Sequence, residues 1–234
     1  MGLYDRDYTQ TKKSSVNYQT SSKTESQIVS FVKETYKLFA ASMMAGAAGA
    51  YVGIPMAVSL SSMIWPLFFL EIGLLIGLQF VKNKPGINLL VMFAFVFVTG
   101  LTTAPLLAYT LGMNGGGAII GNAFAMTAVV FGIMSFFAIK SKKDFTGYGK
   151  PLMIAVFVII GFSILNMFLG NPMLSIIISG VVVFLFSILV IYDTQNIMAG
   201  NYETPIDGAV ALYLDFLNIF IALLQLFGVF NGED

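Results

Sequence analysis

The sequence predicts an all-α integral membrane protein: seven transmembrane helices with a polar last helix central in the bundle. Three observations carry this. Of 234 residues, 57% are hydrophobic and only 10% charged, whereas soluble domains run at roughly 45–50% apolar and about a quarter charged. Apolar runs of spanning length recur along the chain, separated by Gly, Pro and Asn. Lysines gather in alternate connections. A soluble chain of this size cannot bury so much apolar surface and still present a wet exterior.

Residues 1–30 are rich in Ser, Thr, Gln, Tyr and Lys and contain no apolar core of a signal peptide. They read as a disordered, polar, cytosolic tail, and residues 31–234 as the seven-helix transmembrane domain. A spanning helix needs ~20 predominantly apolar residues. The segments that qualify are 35–52, 64–81, 87–111, 116–139, 152–169, 173–192 and 208–230. Between them stand Gly53-Ile54-Pro55, Lys82-Asn83-Lys84-Pro85-Gly86, Gly112-Met113-Asn114-Gly115, residues 140–150, Gly170-Asn171-Pro172 and residues 198–207. Each carries residues that end helices or make turns. The runs are continuous rather than alternating, so they are helices and not barrel strands.

Charge supplies an independent topology. Lys12, Lys13, Lys23, Lys33 and Lys37 precede or open the first span; Lys82 and Lys84 fill the second connection, and Lys140, Lys142, Lys143 and Lys150 the fourth. The first, third and fifth connections hold neither Lys nor Arg. This alternation places the amino terminus in the cytosol and, with seven spans, the end Gly232-Glu233-Asp234 outside. The sixth connection, with Glu203 and Asp207, is inside without being basic.

Composition also excludes chemistry. Lys+Arg and Asp+Glu both number 12, and no basic patch suits a nucleic acid. The chain has no Cys and no His. Disulfides, thiolate nucleophiles, imidazole ligands, Ser-His catalysis and a histidine pH switch are therefore ruled out. No cofactor signature is present, and an enzyme is not expected. Proton or cation chemistry falls to carboxylates.

Ionisable side chains at membrane depth are costly and point to function. Glu71 lies mid-span in the second helix, Asp193 closes the sixth and Asp215 sits in the seventh. The sixth helix ends inside and the seventh begins there, so Asp193 and Asp215 can face each other at similar depth. Two carboxylates in contact cannot both ionise cheaply, which makes a proton sensor. When both are charged their oxygens suit Ca²⁺, so protons and Ca²⁺ compete for one metal site. Asp215, Asn218 and Gln225 form a polar stripe on the last helix. Asn218 and Glu71, the latter without an obvious partner, are the expected lining of an ion pathway. Gly49 with Gly53, Gly73 with Gly77, and Gly117 with Gly121 have the spacing of helix-packing contacts. In the third helix Pro105 frees a backbone carbonyl that nearby Thr hydroxyls can compensate, giving a hinge.

Gly100-Leu101-Thr102-Thr103-Ala104-Pro105, Ile191-Tyr192-Asp193-Thr194-Gln195-Asn196-Ile197 and Ala211-Leu212-Tyr213-Leu214-Asp215-Phe216-Leu217-Asn218-Ile219-Phe220 resemble segments of the Bax inhibitor-1 family, in its bacterial branch. The resemblance covers nearly everything after the tail. It implies seven helices around a central last one, a location in the cytoplasmic membrane, and a pH-sensitive Ca²⁺ leak gated by a paired-aspartate sensor. By motif position that sensor is Asp193 with Asp215. The family pattern also includes a latch arginine on the second helix. Here the only arginine is Arg6, and Lys82 or Lys84 stands nearest that role, though an ammonium cannot form a bidentate fork.

The main alternative is a non-conducting regulator that binds another membrane protein, such as a membrane protease, through the tail and its Tyr4, Tyr8 and Tyr18. An intramembrane aspartyl protease is disfavoured, because Leu212-Tyr213-Leu214 precedes Asp215 where such enzymes carry Gly-x-Gly. The expected partners are the lipid bilayer, Ca²⁺ and protons.

Overall fold

The computed structural model describes residues 24–231. The expected tail over residues 1–23 and the acidic end at Glu233-Asp234 lie outside the described residues. Eight helices follow in order: α1 (Glu25–Gly53), short α2 (Ala57–Ser62), α3 (Ile64–Val81), α4 (Ile87–Leu111), α5 (Gly116–Lys140), α6 (Gly149–Leu169), α7 (Pro172–Ala199) and α8 (Pro205–Asn231). No strand occurs among the described residues. Seven segments are long and apolar enough to cross a membrane, with α1 and α2 counting as one. The protein is an all-α, multi-pass membrane protein.

Two boundaries differ from the sequence reading. Helix α1 starts at Glu25, so residues 25–30, read as tail, are helical. A capping interaction starts it there: the Gln27 side chain accepts from the Thr24 backbone N–H at 2.8 Å. Nor is Gly53-Ile54-Pro55 a loop. Ile54–Met56 forms a 3₁₀ turn leading directly into α2, since Pro55 sits at a helix start, where its missing N–H costs nothing. Met63 (φ −103°, ψ 14°) then interrupts the helix before α3 begins at Ile64.

Helix α8 packs against α1, α4, α5 and α7 and is the centre of the bundle. Helices α3 and α6 are peripheral: α3 buries only Leu78, and α6 only Leu152 and Asn166. The tightest seam joins α1 to α4, where backbone meets backbone. A Cβ on Gly49 would overlap the Phe97 carbonyl, and one on Gly100 would overlap the Gly46 carbonyl. Gly53 likewise faces Leu101 and Ala104. The Gly49–Gly53 spacing is thus a true packing contact. The other two pairs are not, because Gly73, Gly77, Gly117 and Gly121 have nothing within 4 Å.

Helix α4 stays helical through Pro105. Its hydroxyls do not serve the carbonyl that Pro105 frees, which belongs to Leu101. Thr99, Thr102 and Thr103 instead bond the carbonyls of Val96, Val98 and Thr99.

The lysine-bearing connections share one end of the bundle. Lys82 and Asn83, after α3, meet Glu203 between α7 and α8. The α5–α6 connection is fastened to α7 at the same end. The opposite end carries only the Met63 turn, residues 112–115 and residues 170–171, none of them Lys or Arg.

Candidate functional site

The site is built where α7 ends and α8 begins. Helix α7 stops because Gly200 adopts a left-handed conformation (φ 68°). Gly200 N–H donates to the Ile197 carbonyl at 3.1 Å and Asn201 N–H to the Asn196 carbonyl at 2.9 Å, the Schellman pattern. This cap turns the chain back on itself. Four residues later Thr204 and Asp207 cap α8: the Thr204 N–H and hydroxyl both donate to Asp207 Oδ2, at 3.0 and 2.9 Å. Pro205 occupies the first helical position. The short hairpin between the two caps brings α7 and α8 together antiparallel.

Asp193 and Asp215 meet across that contact. Both are buried, 5% and 3% exposed, and their carboxyl groups lie close enough to share a hydrogen bond when one is protonated. A hydrogen bond between two carboxyls needs a proton on one of them, because ionised carboxylates only accept. Asp215 Oδ2 is buried and has no hydrogen-bond partner. Asp193 Oδ1 accepts from the Tyr202 hydroxyl at 2.6 Å. Burial first, and then the neighbouring carboxylate, push the Tyr202 phenol well above its ordinary value, so it remains a donor.

The residues around Asp193 each tie α7 to a different element. The Tyr36 hydroxyl of α1 hydrogen-bonds with the Thr194 and Ser135 hydroxyls. Gln195 accepts from Phe145 N–H at 2.7 Å and donates to the Lys143 and Ala138 carbonyls at 2.9 and 3.2 Å. Asn196 Oδ1 accepts from the Asn201 amide at 2.9 Å. The polar end of α7 is therefore a junction that fixes Asp193 against α8, α1, α5 and the α5–α6 connection.

Tyr213, two residues before Asp215, ties α8 to α4. Its hydroxyl lies 2.5 Å from Thr99 Oγ1 and donates within 3.2 Å of the Val96 carbonyl. On the apolar side, Phe216 packs its ring against Phe39, Phe124 and Phe131.

The two residues expected to line a pathway each have a hydrogen-bond partner. Asn218 is half-buried, and its amide donates to the Leu214 carbonyl of its own helix at 2.7 Å. Glu71 has a partner after all: Thr102 of α4 donates to its Oε1. That contact fastens peripheral α3 to α4, and α3 does not pack on α7. Lys82 does not reach the aspartates. It pairs with Glu203 at 2.6 Å, and Asn83 donates to the same carboxylate at 2.9 Å. The hydrogen bond to Glu203 raises the Lys82 ammonium above its usual range, and the Lys82 and Asn83 contacts hold Glu203 below its own.

As a cation site the pair is lean. Ca²⁺ takes six to eight oxygens, two carboxyls supply at most four, and no cluster of three or more acidic ligands occurs among the described residues. The pair suits a proton shared between two acids better than a resident divalent ion.

Tyr202 and Tyr36 were missed by the sequence reading. A tyrosine between the two aspartate motifs, two residues past Gly200, was the available signal for Tyr202.

Comparison with known proteins gives a consistent picture. A family whose description reads "inhibitor of apoptosis-promoting Bax1" matches residues 28–232. The chain is 48% identical to an uncharacterized protein of Campylobacter jejuni and 44% identical to one of Helicobacter pylori, each over 100% of both chains. It is 29% identical to an uncharacterized membrane protein of Vibrio cholerae, over 87% of this chain and 91% of the other.

Proposed function

The chain belongs to the Bax inhibitor-1 family, and on that premise we propose that it is a calcium leak channel of the cytoplasmic membrane, gated by the proton shared between Asp193 and Asp215. The observation that carries this reading is the juxtaposition of two buried carboxyls at the contact of α7 with α8. While the proton is present, it joins the helices. When it leaves, two like charges a few ångströms apart repel by roughly 4 kcal/mol at an effective dielectric of ~20. That is enough to shift a conformational equilibrium by orders of magnitude. The same oxygens then attract a divalent cation, with water and backbone carbonyls completing its shell. Ca²⁺ is the transported substrate, and protons compete with it.

In this reading the lysine-rich end faces the cytosol, which follows from the positive-inside rule, and the aspartate pair lies near that surface.

Ca²⁺ entry into dye-loaded proteoliposomes, followed across pH ~5 to 8 for wild type and Asp215→Asn, tests this. The wild-type flux should titrate and the variant flux should not. Equal pH dependence in the two, or no wild-type flux at any pH, would remove the proposal. In the second case a non-conducting regulator becomes the better description.

A further inference from the structure

The aspartate pair is at one end of the α7–α8 contact; the other end holds two cavities. One, of about 490 Å³, lies among α4, α7 and α8 and includes Tyr109, Thr110, Ser175, Ser179 and Gln225. The other, of about 570 Å³, lies among α6, α7 and α8 and includes Ser163, Asn166, Gly170, Ser175 and Gln225. They meet at Ser175, Gln225 and Val229, which line both. Their walls reach the far-end connections, through Met113 in one and Gly170 and Pro172 in the other. At ~30 Å³ per water each has room for more than about ten waters.

The hydroxyls and amides in these otherwise largely apolar walls bond one another across helices. Ser179 donates to Gln225 at 2.8 Å and Asn166 to Ser175 at 2.7 Å. Gln225 remains exposed.

Between the Ser179–Gln225 contact and the Asp193–Asp215 contact the character changes. Helix α7 contributes Val183, Phe186 and Val190, and α8 contributes Ile219, Ala222 and Leu223. Val190 and Ile219 are 0% exposed. The polar residues within this stretch, Ser187 and Asn218, spend their donors on carbonyls of their own helices, Val183 and Leu214. From Gln225 to Asp215 the helix rises about 15 Å at 1.5 Å per residue.

We propose that the paired cavities form a water-filled outer vestibule for hydrated cations, and that the Val190–Ile219 layer is a hydrophobic gate between it and the aspartates. This inference rests on the channel reading above and adds a second barrier to it. An apolar constriction excludes ions by dewetting rather than by charge. The vestibule has no carboxylate, so it concentrates cations weakly and leaves discrimination to the inner site. Opening then requires α7 and α8 to part far enough to wet this layer, and repulsion between the aspartates acts on those same two helices.

The natural absence of cysteine allows a test that does not depend on flux. Single-cysteine variants Ser175→Cys, Gln225→Cys, Val190→Cys and Ile219→Cys are reconstituted at pH 5 and treated on both faces with a membrane-impermeant pyridyl disulfide, which ring protonation keeps reactive toward thiols in acid. Ser175→Cys and Gln225→Cys should react, while Val190→Cys and Ile219→Cys should react only after denaturation. Reaction at Ile219→Cys as fast as at Gln225→Cys would overturn the gate, and unreactive vestibule positions would overturn the vestibule. Flux supplies the second arm: at a pH on the rising limb of the wild-type flux profile, where part of the population has lost the shared proton, Ile219→Ser should raise cation leak above wild type. No rise, with the thiol pattern intact, would overturn the layer as the barrier. A raised leak that Asp215→Asn leaves unaltered in pH dependence would instead sink the aspartate gate and leave this barrier standing.

Discussion

Tyr202 donates its hydroxyl hydrogen to Asp193 Oδ1 at 2.6 Å, and it does so from a loop residue that the Gly200 cap has turned back over the end of α7. Its neighbour Glu203 pairs with Lys82 beyond α3. One short loop thus holds the buried acid with one residue and the surface base with the next.

Removing that hydroxyl tests the contact. Tyr202→Phe keeps the ring and leaves a buried carboxyl short of a donor, a loss of about 1–3 kcal/mol. Thermal unfolding in detergent should show it. The loss should shrink in an Asp193→Ala background, because the partner is already gone. Equal losses in both backgrounds would mean that Tyr202 acts by packing alone.

The Lys82–Glu203 pair should behave as a surface strap with a wide pH window. Glu203 is held below its ordinary value, so its contribution is present above the unfolded-state value near ~4.3 and fades as pH falls through the folded one. Lys82 is raised, so its contribution is present below ~10.4 and fades as pH rises through its folded value. Between about pH 5 and 10 the strap is therefore constant. Glu203→Gln should leave the shape of any flux–pH profile between ~5 and 8 unaltered. Its effect on unfolding temperature should vanish in high salt. A changed profile would assign the pH response to the strap.

Glycine spacing yields a contrast within one protein. Gly49→Ala and Gly100→Ala each push a methyl group into a facing backbone carbonyl, and overpacking of this kind costs typically ~1–3 kcal/mol. Gly73→Ala and Gly117→Ala meet nothing and should fall within about 0.5 kcal/mol of wild type. Unfolding in detergent or mild SDS separates the two classes, and equal behaviour would refute the α1–α4 seam.

Glu71 should act as a tether for α3. Thr102→Val removes its partner and should cost about 0.5–2 kcal/mol, within the range seen for interhelical hydrogen bonds in membranes. In a Glu71→Leu background the same change should cost almost nothing. If Glu71→Leu abolishes flux while folding is intact, Glu71 belongs to the pathway and not to packing.

Much of this architecture was legible because lipid imposes simple rules. Five of the spans begin and end within a few residues of their apolar runs, since an apolar side chain is needed at every lipid-facing turn. The departures have local causes. Helix α7 runs past Tyr192 to Ala199 because Asp193, Thr194, Gln195 and Asn196 find tertiary partners that apolarity cannot reveal. Helix α1 starts early on a Thr-x-x-Gln cap that was readable but overlooked. The three Gly pairs share one spacing, yet only one faces another helix; spacing says nothing about which side meets lipid. The Asp193–Asp215 contact followed from parity of the spans together with the motifs. Tyr202 did not, because its position depends on how sharply the chain reverses at Gly200.

The one-sided placement of lysine has a practical outcome. Trypsin cuts after Lys and Arg, and every such residue among those described lies at the end where α1 begins, while the far-end connections have none. Protease added to sealed vesicles would shred the molecules whose lysine-rich end faces out and leave the oppositely inserted ones whole. The intact band on a gel therefore counts orientation directly, and flux measured after digestion comes from a population of known direction.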